Sequence, residues 1–231
     1  MSWFDPALAW QYLPQLLRGA AMTIGVTVPI LIIGWLLAIP VAIGRLSSNR
    51  LAANLAFTYV AIFRGTPSLV LLYLIYSGLG HIEAVRESIL WPVLSHAFPC
   101  VLIGFGLVHS AYVAEILKGG LAAVPVGVVE AGTALGLSPM RLFFAVRLPM
   151  AMRVALRAYQ NEVVIIIKST AAVSAITLTD LMAAANEVFY LTYDPFTPLL
   201  SAAALYWIMI NVVRGGFNVA DKHFNAYLRV R

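Results

Sequence analysis

Five long apolar runs divide the chain, and their lengths set the fold class before any single residue does. Ala20 to Gly44 carries no charge at all. At 1.5 Å per residue it makes a helix of about 37 Å, enough to cross a hydrocarbon core of about 30 Å. Leu51 to Gly80 follows, broken only by Arg64, and Ser88 to Ala114 holds His96, His109 and two prolines. Val154 to Leu178 is less clean, because it contains Arg157, Glu162 and Lys168, whereas Pro195 to Val213 is uncharged. The pattern predicts an all-α integral membrane protein. Its five transmembrane helices are expected at about residues 20–44, 51–80, 88–114, 154–178 and 195–213, with one long non-spanning stretch at about 118–152.

Composition agrees. Apolar residues make up 61% and charged residues 11% of the 231, against about 45–50% and about 25% in a soluble domain. There is too little charge to cover a water-facing surface, and too much hydrophobicity for a disordered chain. The single Cys100 excludes an internal disulfide and a multi-cysteine zinc site.

Charge fixes the expected orientation. Arg45, Arg50, Lys118, Arg141, Arg147, Arg153, Arg157, Arg214, Lys222, Arg229 and Arg231 fall on one side of the predicted spans. Only Arg18 and Arg86 fall on the other, together with Asp5, Glu83, Glu87, Asp180, Glu187 and Asp194. By the positive-inside rule the N-terminus is outside and the C-terminus cytoplasmic. The net charge of +5 is therefore a topology signal and not a nucleic-acid footprint, since no basic cluster with interleaved aromatics accompanies it.

The 118–152 stretch has a pattern of its own. Pro125 and Gly127 open a short helix with Glu130 near its positive end. Gly136 stands where a left-handed residue ends a helix, and Ser138 can cap a second one with Pro139 at its first position. That second helix is expected to run to about Val146 and to break at Leu148-Pro149. A compact cytoplasmic knob and an amphipathic connection lying on the membrane both fit.

Glu130-Ala131-Gly132, then Gly136 after three residues, then Val146-Arg147-Leu148-Pro149 after nine, resembles the EAA loop of bacterial ABC importer permeases. Gly132 and Val146 replace an Ala and an Ile of that pattern. Further segments resemble the M-type permease subunit of histidine, basic amino-acid and opine (octopine, nopaline) importers. They are Phe63-Arg64-Gly65-Thr66-Pro67 with Leu71 to Tyr76, Ala111 to Ile116 with Gly119-Gly120 and Val124-Pro125, Asn161-Glu162-Val163, Lys168 to Ala171, and Tyr193 to Thr197.

The resemblance implies a permease subunit in the bacterial inner membrane, one type I transmembrane domain over residues 1–231. Its partners would be a paralogous permease (a heterodimer), two cytoplasmic ATP-binding subunits and a periplasmic solute-binding protein. It implies that Glu130, Ala131, Gly132, Ala134, Leu135, Gly136, Leu137, Ser138, Pro139, Leu148 and Pro149 couple to the ATPase. It also implies a substrate path along Arg64, Thr66, Tyr73, Tyr76, Tyr112, Glu115, Asn161, Glu162, Ser169 and Thr170. Relatives commonly have Asp at position 169. With Ser169 here, the resemblance implies that the stronger acidic half-site would lie on the partner.

Physical readings stand beside the resemblance. Arg64 within a span would cost about 2.5–3.5 kcal/mol; it either snorkels to the interface or caps carbonyls freed by Gly65-Thr66-Pro67. Tyr73 and Tyr76 are pore residues or interface aromatics. His96 and His109 have no second His nearby and suit helix-packing hydrogen bonds better than a metal. Glu162 shares a helical stripe with Ile165 or Ile166 and Ser169, and marks either a solute path or an ion pair with Arg157 or Arg153. The chain has no nucleophile–base pair, metal cluster or phosphate-cradling glycine loop. It is expected to be no enzyme and to bind no cofactor itself, with ATP and Mg on the partner ATPase. The alternative class is an ion- or proton-coupled carrier or channel using Glu162 and Lys168 as a relay.

Overall fold

A computed structural model describes residues 3 to 224, and every regular element among the described residues is helical. Helix α1 (Pro6–Leu46) has 41 residues, about 60 Å at helical rise and far longer than the span expected within it. It begins early because Asp5 caps it, its Oδ1 accepting from the N–H groups of Ala7 and Leu8. Arg18 is therefore a helical residue.

Helix α2 (Arg50–Gly65) is capped by Asn49. It ends at Thr66-Pro67, and α3 (Ser68–Tyr73) leaves at a bend of 101°, extended by a wide π turn (Leu74–Gly78) and a 3-10 turn (Leu79–His81). The span expected at 51–80 is thus broken in two. Pro67 cannot donate to the helical ladder and forces Thr66 into extended backbone.

The third run also moves. Short turns α4 (Glu83–Arg86) and α5 (Trp91–Leu94) precede α6 (Ala97–Ala122). The span expected at 88–114 is displaced because His96 is extended, and it carries Tyr112, Glu115 and Lys118 inside the helix. After it come α7 (Val126–Ala134), α8 (Pro139–Leu142), a π turn (Phe143–Arg147) and α9 (Leu148–Ser169). The expected break at Leu148-Pro149 does not occur: the wide turn just before Pro149 absorbs the missing N–H. The non-spanning stretch accordingly shrinks from 118–152 to about 123–147.

A 3-10 segment (Thr170–Ile176) continues α9, left-handed Thr177 (φ 69°) turns the chain, and α10 (Leu181–Thr192) follows at a bend of 51°. The span expected at 154–178 is only one limb of this bent pair. Helix α11 (Phe196–Phe224) overruns the expected 195–213 and takes in Arg214, Asp221 and Lys222. Arg229 and Arg231, part of the charge bias, lie outside the described residues. Among the described residues α1, α6 and α11 are each long and apolar enough to cross a membrane, and the two bent pairs raise the count to as many as five.

Close packing of α1 on α6 organises the bundle. A Cβ on Gly34 would lie 2.3 Å from the His109 ring, and one on Gly106 2.9 Å from Ile33. Ala38, Ala42, Val113 and Ala114 fill the rest of the seam. Val26, Ile30, Leu72, Val101, Phe105, Ile166, Val173 and Ile176 form one core joining α1, α3, α6, α9 and the 3-10 segment. Ile32, Leu36, Ile43 and Leu55 stay exposed, as a lipid-facing surface requires. Helix α9 packs on α6 through Gly120, where a Cβ would sit 2.7 Å from the Ala151 carbonyl, and on α11 through Val163, Val164, Ile167 and Ile210.

Candidate functional site

Helix α9 has a sealed face and an open one. Glu162 is on the sealed face: with the proton on Nδ1, His109 of α6 donates to Glu162 Oε1 across 3.2 Å, and the two side chains are 0% and 4% exposed. The predicted stripe of Glu162, Ile166 and Ser169 exists, but it turns into the packed interior and not toward a cavity. Glu162 pairs with His109 and not with Arg157, which lies 3.8 Å from Asp221 of α11. His109 does serve helix packing, with Tyr159 beside it. Val154, Arg157, Ala158, Asn161, Ile165 and Lys168 form the open face. Glu162 and Lys168 therefore point to different surroundings, which removes the geometry that an ion relay between them needs.

Beside the open face lies a cleft of about 320 Å³ lined by Arg64, Tyr112, Glu115, Gly119, Gly120 and residues 154, 155 and 158. Glu115 accepts from Arg45 Nε at 2.6 Å, and Lys118 Nζ stands 3.6 Å from its other oxygen. The Arg64 guanidinium sits over the Tyr112 ring, 4.8 Å from its centre, as Arg45 does over Phe57 at 5.1 Å. Arg64 thus takes an aromatic face and not the carbonyls freed at the break, where Thr66 itself donates N–H and O–H to the Ile62 carbonyl. The cleft offers a cation, a π face and a carboxylate within one small volume.

The remaining candidates scatter. Tyr73 is exposed, and the Tyr76 hydroxyl meets Thr177 Oγ1 at 3.5 Å. Thr170 is buried and spends its hydroxyl on the Ile167 carbonyl, while Ser169 is half-buried and Asn161 exposed. Sequence reasoning missed Asp180, which charge counting placed on the outer surface. It is 1% exposed, accepts from Ala183 N–H at 2.9 Å and from the Tyr206 hydroxyl at 3.2 Å, and caps α10 against α1. Its position immediately before an apolar helix was the available signal.

At the other end, α7 closes with a full Schellman turn. Gly136 is left-handed (φ 73°), Leu137 N–H donates to the Gly132 carbonyl, and Gly136 N–H donates to that of Thr133. Ser138 then caps α8 through Arg141 N–H. A Cβ on Gly132 would meet the tip of the Leu142 side chain. Glu130, Ala131, Ala134 and Pro139 are exposed, as are Leu135 (82%) and Met140 (71%), whereas Leu148 and Pro149 are half-buried. Exposed apolar side chains therefore gather at the turn between α7 and α8.

Residues 30–225 match the family of binding-protein-dependent transport system inner membrane components. The chain belongs to this family. The permease is 36% identical over 228 residues to the nopaline transport system permease protein NocM of Agrobacterium fabrum, covering 98% of this chain and 95% of that one. It is 38% identical over 206 residues to the octopine permease OccM of Rhizobium meliloti, covering 89% and 84%. With the histidine/lysine/arginine/ornithine permease HisM of Salmonella typhimurium it shares 35% over 207 residues, 89% and 88% of the two chains. Its fold matches a chain of a crystal structure of an amino acid ABC transporter with a TM-score of 0.84, 31% identity and coverage of 95% and 98%. A second match, to the inward-facing MetNI methionine ABC transporter (TM-score 0.74, 18% identity, 96% and 99% covered), bears on fold alone. The permease is a multi-pass membrane subunit of an ABC importer. It is not itself an enzyme: ATP is hydrolysed by a separate subunit, and a solute-binding protein delivers the cargo.

Proposed function

We propose that the permease takes up basic amino acids or opines by alternating access, driven by ATP and Mg held on the partner ATPase. The observation that carries this reading is the open face of α9 beside the Arg64–Tyr112–Glu115 cleft, in a chain whose relatives are named for nopaline, octopine and basic amino acids. Five spans would place the N-terminus in the periplasm and the C-terminus in the cytoplasm, with the α7–α8 knob docked on the ATPase through Leu135 and Met140. Residues Glu130 to Pro139 form that coupling surface, and Leu148 and Pro149 transmit its movement into α9. The open face meets a paralogous permease, and the full assembly adds two ATP-binding subunits and a periplasmic binding protein. Ser169 in place of an acid supports a heterodimer, because it leaves this half-site poor in negative charge.

The test is uptake by the reconstituted complex over a panel of basic amino acids and opines. ATP-dependent uptake that competes only within this panel is expected, and uptake driven by an ion gradient without ATPase would overturn the reading. A transport-competent complex containing this permease alone with its ATPase would overturn the heterodimer.

A further inference from the structure

The π turn at Phe143–Arg147 joins two pieces of the chain that are each held in place. On its near side, Ser138 caps α8 through Arg141 N–H, and Leu142 packs on Gly132. On its far side, the start of α9 is seated on α6, the Ala151 carbonyl lying against Gly120. The turn itself closes with Leu148 N–H donating to the Phe143 carbonyl, an i→i+5 bond that encloses one residue more than an α turn. Pro149 keeps the turn from tightening. In α register its ring would run into the Ala145 carbonyl four residues back, and it has no N–H to give that oxygen.

Two further observations converge on the same five residues. Arg147 Nε is buried and has no hydrogen-bond partner among the described residues, a cost that a settled helix would not carry. Phe143 and Phe144 border an apolar groove of about 560 Å³, with Ile39 and Ile43 of α1, Leu117 of α6 and Met152 of α9 on its other walls. Phe144 is 57% exposed beside it. A close-packed core resists displacement; here the turn has room to move without unpacking α1, α6 or α9. Hinges sit at the ends of elements, and wide turns recur at functional sites. We infer that this turn is a joint: its Leu148–Phe143 bond opens and re-forms in each transport cycle, and the α7–α8 knob tilts on α9 as Phe143 and Phe144 move along the groove. This rests on the coupling reading above and adds that the link between knob and α9 must yield rather than act as a rigid rod.

The test variant deletes Ala145 and carries Pro149→Ala. Removing one residue together with the proline leaves a continuous α-helix that keeps the knob's phase on α9 but has no joint. In the full reconstituted complex it should insert and co-purify with the ATPase, whereas solute-stimulated ATP hydrolysis and uptake fall at least about fivefold, the lower end of ordinary coupling between sites. Transport at the wild-type rate would show that only the phase matters, and overturns the joint. Hydrogen exchange on the wild-type complex decides the question even where the variant does not assemble. The Leu148 amide should exchange faster than those of Ala151 to Ala155, and its protection should differ between the nucleotide-free and ATP-trapped states. Protection equal to theirs and the same in both states overturns the proposal. Gly136→Val separates the two readings: if it transports normally, the knob is not coupled and both fall, whereas normal transport by the straight-helix variant alone removes only the joint.

Discussion

Glu115 and Glu162 are both carboxylates on neighbouring helices of the permease, and each has a cationic or imidazole partner, yet they live in different environments. Glu162 faces His109 in a site closed to solvent (0% and 4% exposed), with His109 Nε2 left without a partner among the described residues. Glu115 faces Arg45 and Lys118 at the edge of an open cleft, 23% exposed. The sealed carboxylate joins α9 to α6 through His109. An open one can exchange partners. Exposure, not charge, separates the two acids.

The largest effect should come from breaking the sealed pair. Glu162→Ala leaves a buried imidazole unpaired beside a cavity, and is expected to cost about 3 kcal/mol or more. Thermal or denaturant unfolding of the detergent-purified complex would read this as lost stability and low yield. A variant as stable as wild type would show that Glu162 is not structural.

Gly136→Val should come next. A β-branched residue in the left-handed region costs about 1–2 kcal/mol, and the Schellman turn that sets α7 against α8 would open. The protein should still insert, whereas solute-stimulated ATP hydrolysis and transport should be lost. Full transport in this variant would remove the coupling role of the knob.

Glu115→Gln should do the reverse of Glu162→Ala. The Arg45–Glu115 pair is partly buried at the edge of an open cleft, and a pair near the surface contributes about 1 kcal/mol or less, so unfolding should move little while uptake of cationic solutes falls. If stability drops and transport per folded complex does not, the contrast between the two acids collapses.

The smallest effect concerns Asp194, outside the spans. The Thr197 hydroxyl donates to its carboxylate and holds it below the usual carboxylate range. Thr197 Oγ1 also accepts from Asp5 N–H at 3.0 Å, tying the start of α1 to the start of α11. Because the folded form favours the ionised acid, this contribution is present at neutral pH and fades as pH falls below about 4. Asp194→Asn should therefore flatten the acid limb of stability against pH. An unchanged acid limb would show that the tie contributes nothing.

How much was legible depended on whether the determinants were local. The Schellman turn at Gly136, the cap at Ser138, the break at Gly65-Thr66-Pro67 and the membrane-spanning class could all be read, because each follows from neighbours in sequence or from uncharged length alone. Span ends could not. Asp5 caps a helix far upstream of its apolar run, and Leu148-Pro149 is carried through a π turn, choices that depend on what packs nearby. The same limit applied to Glu162. Helical periodicity put it correctly on one stripe with Ser169, but periodicity cannot say which stripe faces a neighbour.

The amino-acid sequence alone determined that this chain is a helical membrane protein with a projecting loop, since hydrophobic length, glycine and proline positions act through the local backbone. Only the tertiary structure decided which charges are sealed and which are open. It put His109 against Glu162, Arg64 over Tyr112, and Lys168 in one cleft with Arg214. Those pairings join residues 46 to 53 positions apart, and their roles follow from burial, a property of the packed bundle and not of any segment within it.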